Sequence, residues 1–263
     1  MPLISIITIT YNAEKELEPT LKSVRSQSFK DYEHIIVDGA SADATLDVAR
    51  IYGYRQVDSS SGGNFEDDVR LKIYSRPDSG IYHGMNRGLK YASGDYILFL
   101  NAGDTFAATD TLSRYAEAAD ISKYDIIYGD TIIVDENGNI LRPRHLSAPE
   151  KLTVESFKKG MLVCHQAFMA RRGIAPKYSH NYRLSADYDW CIRCMQATTP
   201  ERSYNLKATV IHYLDNGASE KQKTASLKER FSIMSHHYGF IPTLLRHLSF
   251  IPRALERRLS GSR

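Results

Sequence analysis

The 263-residue chain is short of cysteine, of net charge and of long apolar runs, and each shortage closes off a class of protein. Its three cysteines are an odd number, which argues against a disulfide framework and agrees with a reducing compartment. The formal net charge is only +3, without the clustered basic surplus of a nucleic-acid binder, so no nucleic-acid partner is expected. No apolar stretch approaches the roughly 20 residues that span a bilayer, and the chain opens on a strand-like segment rather than a signal peptide. A cytoplasmic protein is expected. No Gly-x-Gly-x-x-Gly follows the first strand-like run, which counts against a dinucleotide dehydrogenase, and no Walker lysine motif occurs, which counts against a P-loop enzyme. Cys191 and Cys194 form a C-x-x-C, but they follow Trp190 in a helix-like segment, and only the distant Cys164–His165 offers further ligands. Buried structural thiols are expected there.

What is present is alternation. Leu3 to Ile9, His34 to Val37 and Tyr96 to Leu100 are apolar runs of the kind buried in parallel sheets. Glu14 to Gln27 and Asp43 to Tyr52 lie between strand-like runs and read as helices, with Leu17, Leu21 and Val24 at helical spacing. The pattern predicts an α/β fold, a mostly parallel doubly wound sheet with helices on both faces. Asp58 to Asp68 is polar and Gly/Ser-rich, a surface loop ahead of a strand over Leu71 to Tyr74. A second half starts near Asp125, where Ile126 to Tyr128 and Thr131 to Val134 read as two strands and Asn137-Gly138 as a hairpin turn.

From Glu220 onward nine Lys and Arg face three Glu. This tail splits at Gly239 and near Ile251-Pro252 into helical pieces, Lys221 to Tyr238 and Pro242 to Leu259, that set Phe231, Met234, Leu244, Leu245, Leu248 and Leu255 among basic residues. Such helices lie on an anionic membrane surface or pack on the body with the basic face in water, and periodicity does not separate the two.

Ligands of open parallel sheets bind at the carboxyl ends of the strands. Three strand ends deliver Thr10-Tyr11-Asn12, Asp38-Gly39-Ala40-Ser41-Ala42-Asp43 and Asn101-Ala102-Gly103-Asp104 to one edge. A carboxylate there accepts an N–H from a nucleotide base or holds a divalent cation against a pyrophosphate, since Mg²⁺ or Mn²⁺ takes one or two carboxylates plus phosphate oxygens. Asp43 reads equally well as a helix N-cap, whereas Asp38 has no evident capping role.

These residues, with Pro77-Asp78-Ser79-Gly80-Ile81-Tyr82-His83-Gly84-Met85-Asn86-Arg87-Gly88, Ala92 to Asp104, Cys164-His165-Gln166 and Ser185-Ala186-Asp187-Tyr188-Asp189-Trp190, resemble the family 2 glycosyltransferases. The likeness is greatest to the branch found in bacterial exopolysaccharide and colanic-acid-type gene clusters, and it runs from about Leu3 to Ser219. It implies a GT-A fold, a nucleoside diphosphate sugar donor, a divalent cation (Mn²⁺ or Mg²⁺) and inversion at the anomeric carbon. UDP is favoured by family frequency. By the same likeness residues 1–219 form the catalytic domain, with a nucleotide-binding half over 1–105 and an acceptor-binding half over 106–219, ahead of the basic tail 220–263.

The resemblance assigns the nucleotide-sugar donor to Thr10, Tyr11, Asn12, Asp38, Asp78, Asn86, Asn101, Ala102 and Gly103, with Asp38 on the base, and gives Asp104 the metal-binding place of the Asp-x-Asp motif. Asn101 and Gly103 stand where many members carry acids, and His83 where close relatives carry one. Inverting transfer needs a base that takes the acceptor hydroxyl's proton. Asp187 matches the carboxylate of the family's Glu-Asp motif, with Ala186 in place of the glutamate, although a carboxylate at a helix start also serves the helix dipole. Asp189, His165 and Gln166 are placed on the acceptor side, and His212 as a late metal or diphosphate contact, against the ordinary outcome of a structural histidine. The acceptor expected is a saccharide or lipid-linked saccharide. A catalytically silent scaffold that binds nucleotide or glycan is the alternative, because the acids absent at 101, 103 and 186 are those that family chemistry uses.

Overall fold

The computed structural model of the protein describes residues 1–57, 70–122, 124–215 and 223–248. The Gly/Ser-rich segment read as a loop and the tail beyond 248 lie outside the described residues. The strands are β1 (Ile4–Thr10), β2 (Tyr32–Asp38), β3 (Arg55–Gln56), β4 (Leu71–Ser75), β5 (Tyr96–Phe99), β6 (Thr105–Phe106), β7 (Ile126–Val134), β8 (Ile140–Pro143), β9 (Phe168–Arg171) and β10 (Ser203–Leu214). They form one sheet in the order β3-β4-β2-β1-β5-β9-β7-β10-β6, with β8 hydrogen-bonded to β7. The first five in that order run parallel, and the inner three, β2, β1 and β5, are almost wholly buried, as expected of apolar strands covered on both faces. Antiparallel β9 then joins that half to the parallel pair β7 and β10.

The helices are α1 (Leu17–Arg25), α2 (Thr45–Ile51), α3 (Ile81–Tyr91), α4 (Thr111–Ser122), α5 (Ala186–Gln196) and α6 (Lys223–Tyr238). Helix α1 buries Leu17, Thr20, Leu21 and Val24, the stripe its spacing predicts. In α3 the pair Gly84 and Gly88 has a packing role: a Cβ on Gly88 would come within 2.4 Å of Ile7 Cγ2 and one on Gly84 within 2.9 Å of Ile9 Cγ2. The glycines of the long motif thus bring α3 against β1, which fixes the height at which Asp78 and Tyr82 meet the sheet edge.

Ile126–Tyr128 and Thr131–Val134, expected as two strands, are one strand running through Gly129. Gly129 lies where β10 crowds in, with Ala208 O 2.8 Å from a Cβ placed there, so the glycine allows the chain through without a break. The first piece of the tail takes the second of its two alternatives, packing on the body. Helix α6 buries Ile233 and Met234 in the same apolar core as Trp190 of α5 and Phe99 of β5, worth about 1.5–3 kcal/mol for each side chain fully buried. Its end is Gly239 (φ +88°), the expected split, after which residues 240–248 are again helical.

Candidate active site

Three neighbouring strands end in register, Thr10 beside Asp38 and Asp38 beside Ser75. Their side chains join across the edge. Asp38 Oδ1 accepts from Thr10 Oγ1 (3.0 Å) and Ser41 Oγ (2.5 Å), while Oδ2 accepts from Ser75 Oγ (2.7 Å) and the Ser41 amide (2.9 Å). Asp38 is fully buried and its four hydrogen bonds occupy both oxygens, so no acceptor site is free for a base N–H in this arrangement. Asp38 and Thr10 form the wall of the strand edge, joined by the Thr10 hydroxyl. Asn12 likewise laces loops together, its Oδ1 accepting from the Ala42 amide at 2.9 Å. Asp43 bonds the Thr45 and Glu14 amides (3.0 and 3.1 Å) and so tethers the start of α2.

The surface that remains open belongs to Tyr11 and Asp78. Tyr11 is 68% exposed, and both its ring and the Asp78 carboxylate lie against Gly39, where a Cβ would stand 3.2 Å from Tyr11 Cδ2 and 3.4 Å from Asp78 Oδ2. Asp78 Oδ1 accepts from the Gly80 amide (2.9 Å) and Oδ2 faces Arg87 Nη1 at 3.9 Å. Arg87 is buried and donates to the carbonyls of Arg76 and Tyr74. Asn86, expected at the nucleotide, instead clamps a loop: its amide donates to Tyr178 O (3.0 Å) and its carbonyl accepts from Tyr178 N (2.7 Å). Its side chain is spent on that backbone pairing.

Past β5, Ala102 packs against the small apolar cluster of Leu17, Leu21 and Ile73, and the Gly103 amide donates to Thr20 Oγ1 at 3.0 Å. These contacts hold the loop after β5 against α1. Asn101 and Asp104 face the other way. The Asn101 amide donates to Gln166 Oε1 (2.8 Å), and Asp104 Oδ1 accepts from the Leu214 amide (2.8 Å). Burial pushes the Asp104 carboxyl up to about 7, opposed by that amide, by the Gln166 side chain and by His165. Around it Asn101 Oδ1, Gln166 Nε2 and His165 Nε2 are buried without hydrogen-bond partners.

Orphaned polar atoms beside one buried, proton-hungry carboxylate test the fit of a divalent cation. Asp104 and Asn101 Oδ1 supply hard oxygen ligands, enough for an ion that completes its shell with water and phosphate. The set is sparse. Among the described residues no group of three or more His, Cys, Asp or Glu could hold a metal. His212, on β10 opposite Thr105, makes no hydrogen bond or ion pair with Asp104, whose β10 partner is the Leu214 backbone.

Asp187 stands in the first turn of α5, partly exposed, with both oxygens engaged. Tyr82 Oη donates to Oδ1 at 3.0 Å, and His165 Nδ1 lies 3.5 Å from Oδ2. Burial alone would pull His165 down, but Asp187 and Cys164 beside it override that and hold it at about 10. The reciprocal effect keeps Asp187 below the ordinary carboxylate range although burial opposes it. The Asp189 oxygens meet Arg193 Nε of the same helix (2.7 Å) and His237 Nε2 (2.8 Å), the second of which ties α5 to α6. The three cysteines are free and buried, as expected of structural thiols.

A polar seam thus runs from Tyr82 in α3 to Asp187, through His165 to Gln166, and on to Asn101 and Asp104. Sequence reading missed Tyr82, Ser41, Ser75 and the Leu214 amide. Tyr82 was inside the quoted motif, but its bond to Asp187 crosses 105 positions and no local pattern signals it.

The sequence profile described as glycosyl transferase family 2 matches residues 5–178. A "PGL/p-HBAD biosynthesis glycosyltransferase" of Mycobacterium tuberculosis is 37% identical over 198 residues, 73% of this chain and 70% of that protein. Among solved structures, Staphylococcus aureus TarS 1–349 in complex with UDP superposes with a TM-score of 0.69 at 19% identity, over 95% of this chain and 73% of that one. The Pyrobaculum calidifontis mannosyltransferase PcManGT, in complex with GDP-Man and Mn²⁺, gives a TM-score of 0.58 at 14% identity, over 99% and 80%. Both likenesses are of fold, the mixed sheet of the GT-A type.

Proposed function

The chain belongs to glycosyl transferase family 2 and is a glycosyltransferase, and from that premise we propose that it inverts the anomeric centre as it moves a sugar from a nucleoside diphosphate donor to a saccharide or lipid-linked saccharide. UDP is the first donor base to test, in line with the UDP and UDP-GlcNAc complexes of TarS. The observation that carries the reading is the seam that sets Asp187 against His165 and, through Gln166, next to Asp104.

In this mechanism Tyr11 and Asp78 receive the nucleoside at Gly39, with Asp38 as the wall behind them. Asn101 Oδ1 offers an acceptor to the hydroxyls of the donor sugar, and the unpartnered Gln166 Nε2 and His165 Nε2 offer donors toward the acceptor side. Asp187 takes the acceptor hydroxyl's proton. Tyr82 fixes one of its oxygens, and the charge on His165 keeps it ionised until the hydroxyl arrives. Asp104 and Asn101 would hold the divalent cation, whose contribution is charge neutralisation at the departing diphosphate.

The reading extends to place and pathway class: surface polysaccharide assembly on the cytoplasmic side, with the tail on an anionic membrane. Among the described residues no helix is long and apolar enough to cross a membrane. In its support, residues 240–248 expose Phe240, Ile241, Leu244, Leu245 and Leu248 beside Arg246, and the sequence beyond adds Arg253, Arg257, Arg258 and Arg263. The catalytically silent scaffold stays as a second reading, on the single carboxylate at the cation place.

The test is release of nucleoside diphosphate from UDP-, GDP- and dTDP-sugars with Mn²⁺, with vesicle-borne saccharide lipids as acceptors, for the wild type, Asp187→Asn and Asp104→Ala. Release that falls at least about 100-fold in Asp187→Asn with nucleotide binding intact is expected. Binding without release from any donor assigns the scaffold role instead.

A further inference from the structure

The turn that leads into helix α5 is held from the tail. Glu229 of α6 accepts three consecutive backbone amides, those of Arg183 at Oε1 (2.9 Å) and of Leu184 and Ser185 at Oε2 (2.8 and 2.9 Å). Ser185 opens α5 without capping it by its own side chain, and its hydroxyl instead pairs with Ser226 of α6 at 3.0 Å. A carboxylate is the natural group for this place, because it collects several N–H donors at once and lies at the positive end of the helix dipole. One turn on, His237 of α6 grips Asp189 of α5 (2.8 Å). Asp187 sits between these two grips, two residues past Ser185.

We infer that Glu229 is a positioning residue for the catalytic base: from the C-terminal helix it clamps the entry to α5 and so holds Asp187 at its contacts with Tyr82 and His165. This rests on the assignment of Asp187 as base. A displacement of the clamped turn passes directly into the 3.0 Å Tyr82 and 3.5 Å His165 contacts, and misplacing a reacting group by about 1 Å costs on the order of 100-fold in rate. The nucleoside side of the donor pocket, at Tyr11 and Asp78, follows β1 and precedes α3, away from the 183–185 turn that Glu229 holds. The inference therefore separates turnover from donor binding, which loss of overall fold would not.

The experiment uses the full chain and the donor it cleaves best among UDP-glucose, UDP-galactose, UDP-N-acetylglucosamine and GDP-mannose, and measures nucleoside diphosphate release and nucleotide binding. Glu229→Leu is expected to lower kcat about 100-fold with KM for donor and Kd for UDP or GDP unchanged, and Glu229→Gln, which keeps an acceptor oxygen, about 10-fold. The double variant Asp187→Asn/Glu229→Leu, and equally Asp187→Asn/Glu229→Gln should the leucine variant not fold, is expected to be no slower than Asp187→Asn alone. Additive losses, or equal losses in kcat and nucleotide affinity, overturn the inference and leave Glu229 a purely structural cap. If Asp187→Asn itself keeps wild-type turnover, the base assignment is at fault rather than the clamp.

Discussion

Restoring the acids that family members carry at positions 101 and 103 is expected to have opposite outcomes, and the structure says why. Gly103 is buried with φ +94°, and a Cβ there would stand 2.8 Å from Leu214 Cδ2 and 3.6 Å from Glu16 Cβ. The Leu214 methyl can swing aside, so most of the cost of Gly103→Asp is backbone strain, about 1–3 kcal/mol. The new side chain also starts against Leu214, whose amide holds Asp104 Oδ1, and so disturbs that contact. At Asn101 the side-chain oxygen is already buried, unpartnered and on the cation side. Asn101→Asp adds a second anionic ligand there, and about a tenfold tighter Mn²⁺ affinity, ~1.4 kcal/mol, is expected. Titration calorimetry with MnCl₂ and urea unfolding with and without the ion check both. Gly103→Asp that binds Mn²⁺ more tightly at no cost in stability would refute the placement of the cation at Asp104 and Asn101.

His165, held at about 10, contributes stability that is complete below its ordinary 6.5 and is lost as pH rises toward 10. His165→Gln should abolish that alkaline loss in urea unfolding and, by removing the charge beside Asp187, move the acid limb of the kcat/KM profile to higher pH. A chain ended after Tyr238 keeps Glu229, Ile233, Met234 and His237 but loses the exposed Phe240, Ile241, Leu244 and Leu245, so it should release nucleoside diphosphate normally and fail to sediment with anionic vesicles. Ending after Ser219 should abolish both. Equal sedimentation of all three forms would leave α6 with its packing role alone.

The parallel half of the sheet was legible because burial on both faces writes itself into a strand as an unbroken apolar run. The short strands that complete the sheet carry no such signal. Antiparallel β9 sits between β5 and β7, although 68 positions of chain lie between the ends of β5 and its start. The site divides in the same way. Strand-end acids were legible as a group, since fold topology alone sends them to one edge. Their individual roles were not, because each is decided by partners distant in sequence: Ser75 fills Asp38, Tyr178 occupies Asn86, and His237 ties Asp189 to α6. Gly103 was read as a lost acid, whereas its φ and the approach of Leu214 make it a turn residue.

Three aspartates reach this edge, and their surroundings give them three different chemistries. Asp38 meets four neutral donors and no cation, and they tie it to the neighbouring strand ends and to the Ser41 turn. At Asp104 burial outweighs the Leu214 amide, the Gln166 side chain and His165, so its carboxyl is pushed up to about 7. A group so placed favours either a proton or a metal ion. Asp187 already has a positive neighbour in His165, which depresses its carboxyl and removes any need for a cation. Divergent environments for like groups mark the division of labour at an active site. On the proposed reading the ion goes to Asp104 and the proton to Asp187, with His165 between them: replacing His165 should let a divalent cation protect Asp187 from carbodiimide modification, whereas in the wild type only a donor analogue should do so.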